Sequence, residues 1–92
     1  MSDDTVRARA IVRGRVQGVW FRQSTADAAS RLGVRGWVRN RADGSVEAVF
    51  EGTRASVERA LAYMAMGPER AHVEQVETVW EPPAGEGPFA VR

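Results

Sequence analysis

The sequence predicts an α+β sandwich in which an antiparallel sheet of four or five strands carries two helices on one face. Three observations lead to this class. Two stretches alternate with period two, Val6, Ala8, Ala10 and Val12 in one and Val46, Ala48 and Phe50 in the other, as in strands with one buried face. Two others place residues at helical spacing, Thr25, Ala28, Ala29 and Leu32 and then Val57, Ala60, Leu61 and Met64. Strand-like and helix-like stretches also follow one another in the order β-α-β-β-α-β.

Each element has its own justification. In the first strand Arg7, Arg9, Ile11 and Arg13 take the face opposite the small apolar residues. A glycine-containing connection follows, then a helix from about Arg22 to Leu32. Its alanine-rich inner face allows close approach to a sheet, and Gly33 sits just past its end. Val34 to Asn40 reads as the second strand through Trp37 and Val38. Asp43-Gly44 supplies the positive φ that a hairpin needs, so the third strand, Val46 to Glu51, returns antiparallel to the second. Thr53 is placed to cap the second helix, which Gly67-Pro68 ends. Val73, Val76 and Trp80 lie in a last long strand whose imperfect alternation suggests a bulge. Residues 82–88 form a loop rich in proline and glycine, and Phe89 to Arg92 add a short edge strand. This order is the ferredoxin-like one, with strands one and three as central neighbours and strand two beside strand three. It hosts many functions and selects none.

Length and composition bound the chemistry. Ninety-two residues suit a single domain spanning 1–92. The absence of cysteine excludes disulfides and thiolate catalysis and fits a cytoplasmic setting. The acidic start Met1-Ser2-Asp3-Asp4 is not that of a signal peptide, and no apolar run approaches the roughly 18 residues that cross a membrane. A net charge of +1 is too balanced for nucleic-acid binding through bulk electrostatics. Every basic side chain is arginine, so Schiff-base lysines and a Walker-type lysine are excluded. Any phosphate must be held by arginine and backbone.

The stretch Gly14-Arg15-Val16-Gln17-Gly18-Val19-Trp20-Phe21-Arg22 answers that requirement. Glycines that tolerate φ > 0 let consecutive backbone N–H groups turn toward one centre, forming an anion-sized nest. The helix that follows adds unpaired first-turn N–H groups and a partial positive charge. Arg22 adds a planar fork matched to two phosphate oxygens.

These residues also carry a resemblance. Gly14 to Arg22 resembles the signature Gly-x-Val-Gln-Gly-Val-x-Phe-Arg of acylphosphatases. Gly36-Trp37-Val38-Arg39-Asn40, followed by Asp43-Gly44-Ser45-Val46-Glu47, resembles that family's second signature. Gly67-Pro68, Ala71-x-Val73 and Phe89-x-Val91 are similar to its C-terminal half. The resemblance implies hydrolysis of the carboxyl–phosphate anhydride of a small acyl phosphate to a carboxylate and inorganic phosphate. By position it implies Arg22 and Asn40 as catalytic residues and the backbone of Arg15, Val16, Gln17, Gly18, Val19 and Trp20 as the phosphate loop. It implies neither metal nor cofactor.

Other assignments compete with this one. Asn40 is also a turn former. Arg22 could pair with a carboxylate, the C-terminal one of Arg92 being one choice. His72 is expected to be solvated at the start of a strand rather than a general base, and Glu47 and Glu51 to mark a wet strand face. Trp37, Trp80 and Phe50 are expected in packing. Arg7, Arg9 and Arg13 on the open face suggest a nucleic-acid-binding module as a rival, though the clustered aromatics of RNA-recognition sheets are absent. A non-catalytic anion or acyl-phosphate sensor is the second rival. A monomer with no nucleic-acid or membrane partner is the expected state.

Overall fold

The computed structural model describes residues 5–92; the acidic start, Met1 to Asp4, lies outside the described residues. The elements run β1 (Thr5–Arg15), α1 (Phe21–Arg31), β2 (Arg35–Asn40), β3 (Val46–Thr53), α2 (Arg54–Met66), β4 (His72–Glu81) and β5 (Ala90–Val91). The sheet order is β4-β1-β3-β2-β5, so β1 and β3 are central neighbours and β2 flanks β3, as the sequence predicts.

The two alternating strands set the core. Ala8, Ala10 and Val12 of β1 lie beside Val46, Ala48 and Phe50 of β3, all fully buried. Phe21, Ala29, Val57, Ala60 and Met64 of the helices close over them. Small residues on the central strands let the helix backbones approach, while Phe21, Phe50 and Met64 fill the space between layers. Burying side chains of this size contributes about 1.5–3 kcal/mol each. The second helix is capped as expected, Thr53 accepting from the Ser56 backbone N–H at 3.2 Å. No helix among the described residues is long and apolar enough to cross a membrane.

The sheet is not wholly antiparallel. β5 pairs with β2 in parallel, Trp37 opposite Ala90 and Val38 opposite Val91. The reason is the route that the chain takes. β4 and β5 occupy opposite edges, so residues 82–89 cross the open sheet face; the chain also reverses there, and because β4 runs opposite to β2, β5 comes out parallel to β2. The bulge expected in β4 is present where the register slips against Arg13 and Gly14.

That crossing segment overturns the expectation of a wet face at Glu47 and Glu51. Both are buried, Glu51 completely. The Glu51 carboxylate accepts from the backbone N–H groups of Ala84, Gly85 and Glu86 at 2.6, 2.9 and 2.8 Å. Arg7 donates to it at 3.3 Å and also reaches Glu81 and Glu86 at 2.9 and 2.8 Å. Arg9 and Arg39 converge on Glu47, and Arg13 bridges Asp43 and Glu77. The arginines that suggested a nucleic-acid surface are thus already bonded to carboxylates of their own sheet. Trp37 is buried among guanidinium groups, Arg92 lying 4.7 Å and Arg39 5.3 Å from its ring centre. Trp80 is not core: it lies 43% exposed on the edge strand, with Arg54 stacked 4.5 Å above it. A period-two pattern assigns a residue to a face, and an edge strand leaves part of that face uncovered.

Candidate active site

Between β1 and α1 the chain is pinned at two points, Val16 and Phe21, both almost fully buried in the core. The four residues between them must bridge that gap, and they do so with unusual backbone. Gly18 has φ +74° and Trp20 φ +65° with ψ +16°. A left-handed non-glycine residue costs about 1 kcal/mol, so core packing on either side must impose it. A Cβ at Gly18 would meet nothing within 4 Å, so torsion rather than space requires glycine there.

Trp20 is the N-cap of α1, and no side chain caps that helix end. Its carbonyl accepts from the Ser24 N–H at 2.9 Å, and the first turn contains no acidic residue. The N–H groups of the first helical turn therefore keep their capacity to bind an anion and their partial positive charge. Among the described residues, no turn or loop hydrogen bond is donated by the backbone N–H of Gln17, Gly18, Val19 or Trp20.

The loop borders a cleft of about 390 Å³ lined by Val16, Gly18, Trp20, Phe21, Arg22, Gln23, Asn40 and Val91. Arg22 comes from the first turn of α1 and Asn40 from the last position of β2, so two remote points of the sequence meet at one surface. Arg22 Nη1 donates to the main-chain oxygen of Arg92 at 2.9 Å in an exposed contact, so the residue that competes for Arg22 in the sequence reading is the one it meets here. Asn40 is exposed, adjoining the hairpin in which Arg41 N–H donates to the Ser45 carbonyl at 2.8 Å. Asp43 stabilises that hairpin by accepting from both the hydroxyl and the N–H of Ser45. These bonds, with Arg13 beside it, hold the Asp43 carboxyl well below its ordinary range.

The sequence-predicted loop residues divide into three groups. Val16, Gly18 and Trp20 line the cleft. Arg15 ends β1 opposite His72, and Val19 packs against the core. Gln17 sends its side chain the other way: Nε2 donates to the carbonyls of Arg41 and Ser45 at 2.9 and 3.0 Å. Sequence reading missed this tie, and it missed Gln23 and Val91 as lining residues. The alternation of Phe89-Ala90-Val91 indicated a strand but not which edge it joins. His72 is exposed at the start of β4, as expected, and among the described residues no group of three His, Cys, Asp or Glu side chains could hold a metal.

Comparison with known proteins bears on the family and the fold. The family model described as Acylphosphatase matches residues 8–91. An acylphosphatase of Anaeromyxobacter dehalogenans is 56% identical over 90 residues, covering 97% of both chains. One of Chloroflexus aurantiacus is 53% identical over 89 residues, covering 96% of this chain and 97% of its own. Among solved structures, an acylphosphatase from Coxiella burnetii superposes with a TM-score of 0.93 at 33% identity, covering 100% of each chain.

Proposed function

The chain belongs to the acylphosphatase family, enzymes that hydrolyse acyl phosphates to a carboxylate and inorganic phosphate, and on that premise we propose that Arg22 and Asn40 carry the reaction. The observation that supports this assignment is their shared cleft: a cationic fork, a neutral amide and an uncapped helix start border one cavity.

The chemistry asks little of so sparse a site. A mixed anhydride has a good leaving group, a carboxylate that departs with the bonding electron pair and needs no acid. What remains is to hold the phosphoryl group, offset its charge as the bond loosens, and place a water in line. The loop amides and the Arg22 guanidinium do the first two. Asn40 orients the water, its amide oxygen accepting a hydrogen bond from one water O–H and leaving a lone pair aimed at phosphorus. The amide is not basic at neutral pH, so the proton passes to a phosphoryl oxygen of the substrate as the new P–O bond forms. No covalent intermediate and no metal enter the cycle.

The test is hydrolysis of benzoyl phosphate by wild type, Arg22→Ala and Asn40→Ala, each in excess EDTA. Loss of one preorganised charge-stabilising group costs about 10²–10³-fold in rate, so each variant should fall by at least about a hundredfold while wild type is unaffected by chelation. Full activity of Arg22→Ala, or loss of wild-type activity in EDTA that a divalent metal restores, would overturn the assignment.

A further inference from the structure

We infer that Gln17 is a positioning residue, its side-chain amide fixing the separation between the glycine loop and the hairpin that carries Asn40. The inference rests on the reading of Asn40 given above. A primary amide carries two N–H donors on one nitrogen, and Gln17 spends both on one target, the mouth of the β2–β3 turn. One goes to the Arg41 carbonyl at 2.9 Å and the other to the Ser45 carbonyl at 3.0 Å. Both partners are acceptors only, so the amide has one workable orientation.

The receiving carbonyls are the two that close the hairpin. The Ser45 carbonyl also accepts from the Arg41 N–H at 2.8 Å, and the Arg41 carbonyl from the Gly44 N–H at 3.2 Å. The Arg41 N–H belongs to the peptide that joins Asn40 to Arg41. A push on Gln17 is therefore transmitted to the Asn40 backbone through a single shared acceptor. At its other end Gln17 sits between Val16, locked into the core, and Gly18, which opens the loop. The hairpin is also tied to the end of β1 by the exposed Arg13–Asp43 pair and to the sheet through β1–β3 and β3–β2 pairing, but Gln17 supplies the tie that starts from the loop itself. Gln17 is a direct strut behind the cleft, from the loop to the hairpin, and it sets how far a water held by Asn40 stands from a phosphoryl group held by the loop.

The experiment is a double-mutant cycle of Gln17→Met, similar in length but without donors, against Asn40→Ala. Hydrolysis of benzoyl phosphate and competitive inhibition by inorganic phosphate are both read. Misplacing a reacting group by about 1 Å can cost about 10²-fold. Gln17→Met should therefore lower kcat by about 10- to 100-fold, with phosphate inhibition changed less than about threefold because the loop itself is intact. In the Asn40→Ala background the same substitution should cost less than about threefold, since the group that it positions is gone. Equal losses in both backgrounds, or weakened phosphate inhibition matching the loss of kcat, would overturn the assignment to Gln17 and leave the reading of Asn40 standing. Full activity of Asn40→Ala would overturn both. If Gln17→Met does not fold, Gln17→Leu, also uncharged and without donors, takes its place in the cycle with the same two outcomes.

Discussion

The buried Glu51 offers a severe test of how the open face is held. Its two oxygens accept four hydrogen bonds. Oε1 serves the N–H groups of Gly85 and Glu86, and Oε2 serves the Ala84 N–H and the Arg7 guanidinium. Replacement by Gln, nearly the same shape, leaves one oxygen to serve two of those donors. Its NH₂ end must then face two donors, Ala84 N–H and Arg7. Two charge-assisted bonds are lost at about 1.5 kcal/mol each, and the donors left behind are buried. Arg7 keeps Glu81 and Glu86, which limits the damage to the lower end of what breaking a buried pair costs, about 3 kcal/mol. In a domain of this size 1 kcal/mol moves Tm by about 4–8 °C, so E51Q should melt roughly 12–24 °C below wild type at neutral pH. Scanning calorimetry reads the shift directly. A drop under about 4 °C would mean that residues 84–86 are not held by this carboxylate, and the account of the covered face would fail.

Further predictions concern pH and the glycine loop. Burial works against the charges of Glu51 and Glu47, yet the backbone amides and Arg7 at the first, and Arg39 and Arg9 at the second, outweigh it and lower both carboxyls from the ordinary 4.5. Arg9 and Arg7 lower Glu81 in the same way. Each group therefore contributes stability that is present above pH 4.5 and lost as pH falls through its folded value. Urea midpoints should hold steady from pH 7 to about 5.5 and fall steeply below about 4.5, with more than one proton taken up on unfolding; a flat acid limb would contradict the lattice. Gly18→Ala should cost about 1 kcal/mol by urea titration, a torsional penalty alone. Gly14→Ala should cost more than twice that, because its Cβ would stand 2.2 Å from the His72 carbonyl oxygen; equal costs would contradict the packing.

How much of this was legible in the sequence depends on the range of the forces involved. Period two in β1 and β3, the Asp43-Gly44 turn and the Thr53 cap are local signals, and each appears where its residues predict. The pairing of the central strands followed from element order. The covered open face did not. Glu47 and Glu51 alternate like solvated residues, and nothing nearby announces that residues 84–86, more than thirty positions downstream, will donate three amides to Glu51. The parallel direction of β5 was hidden for the same reason, since a long crossing loop carries no turn signature. At the site, the glycines and Arg22 were readable because loop-to-helix chemistry is local. Arg22 and Asn40 could be set beside each other only through topology and a family resemblance, and the tie made by Gln17 is a contact between loops that no periodicity encodes.

The central position of β1 has a consequence for how the chain finds its shape. Its two neighbours, β3 and β4, both arrive much later in sequence, and the Arg7–Glu81 contact joins residues 74 positions apart. The entropy of closing such long loops must be spent before the contacts that reward it exist. Refolding on the scale of milliseconds to seconds is then expected, in the range of proteins dominated by distant pairings. During that interval the N-terminal strand waits with both its hydrogen-bonding edges open.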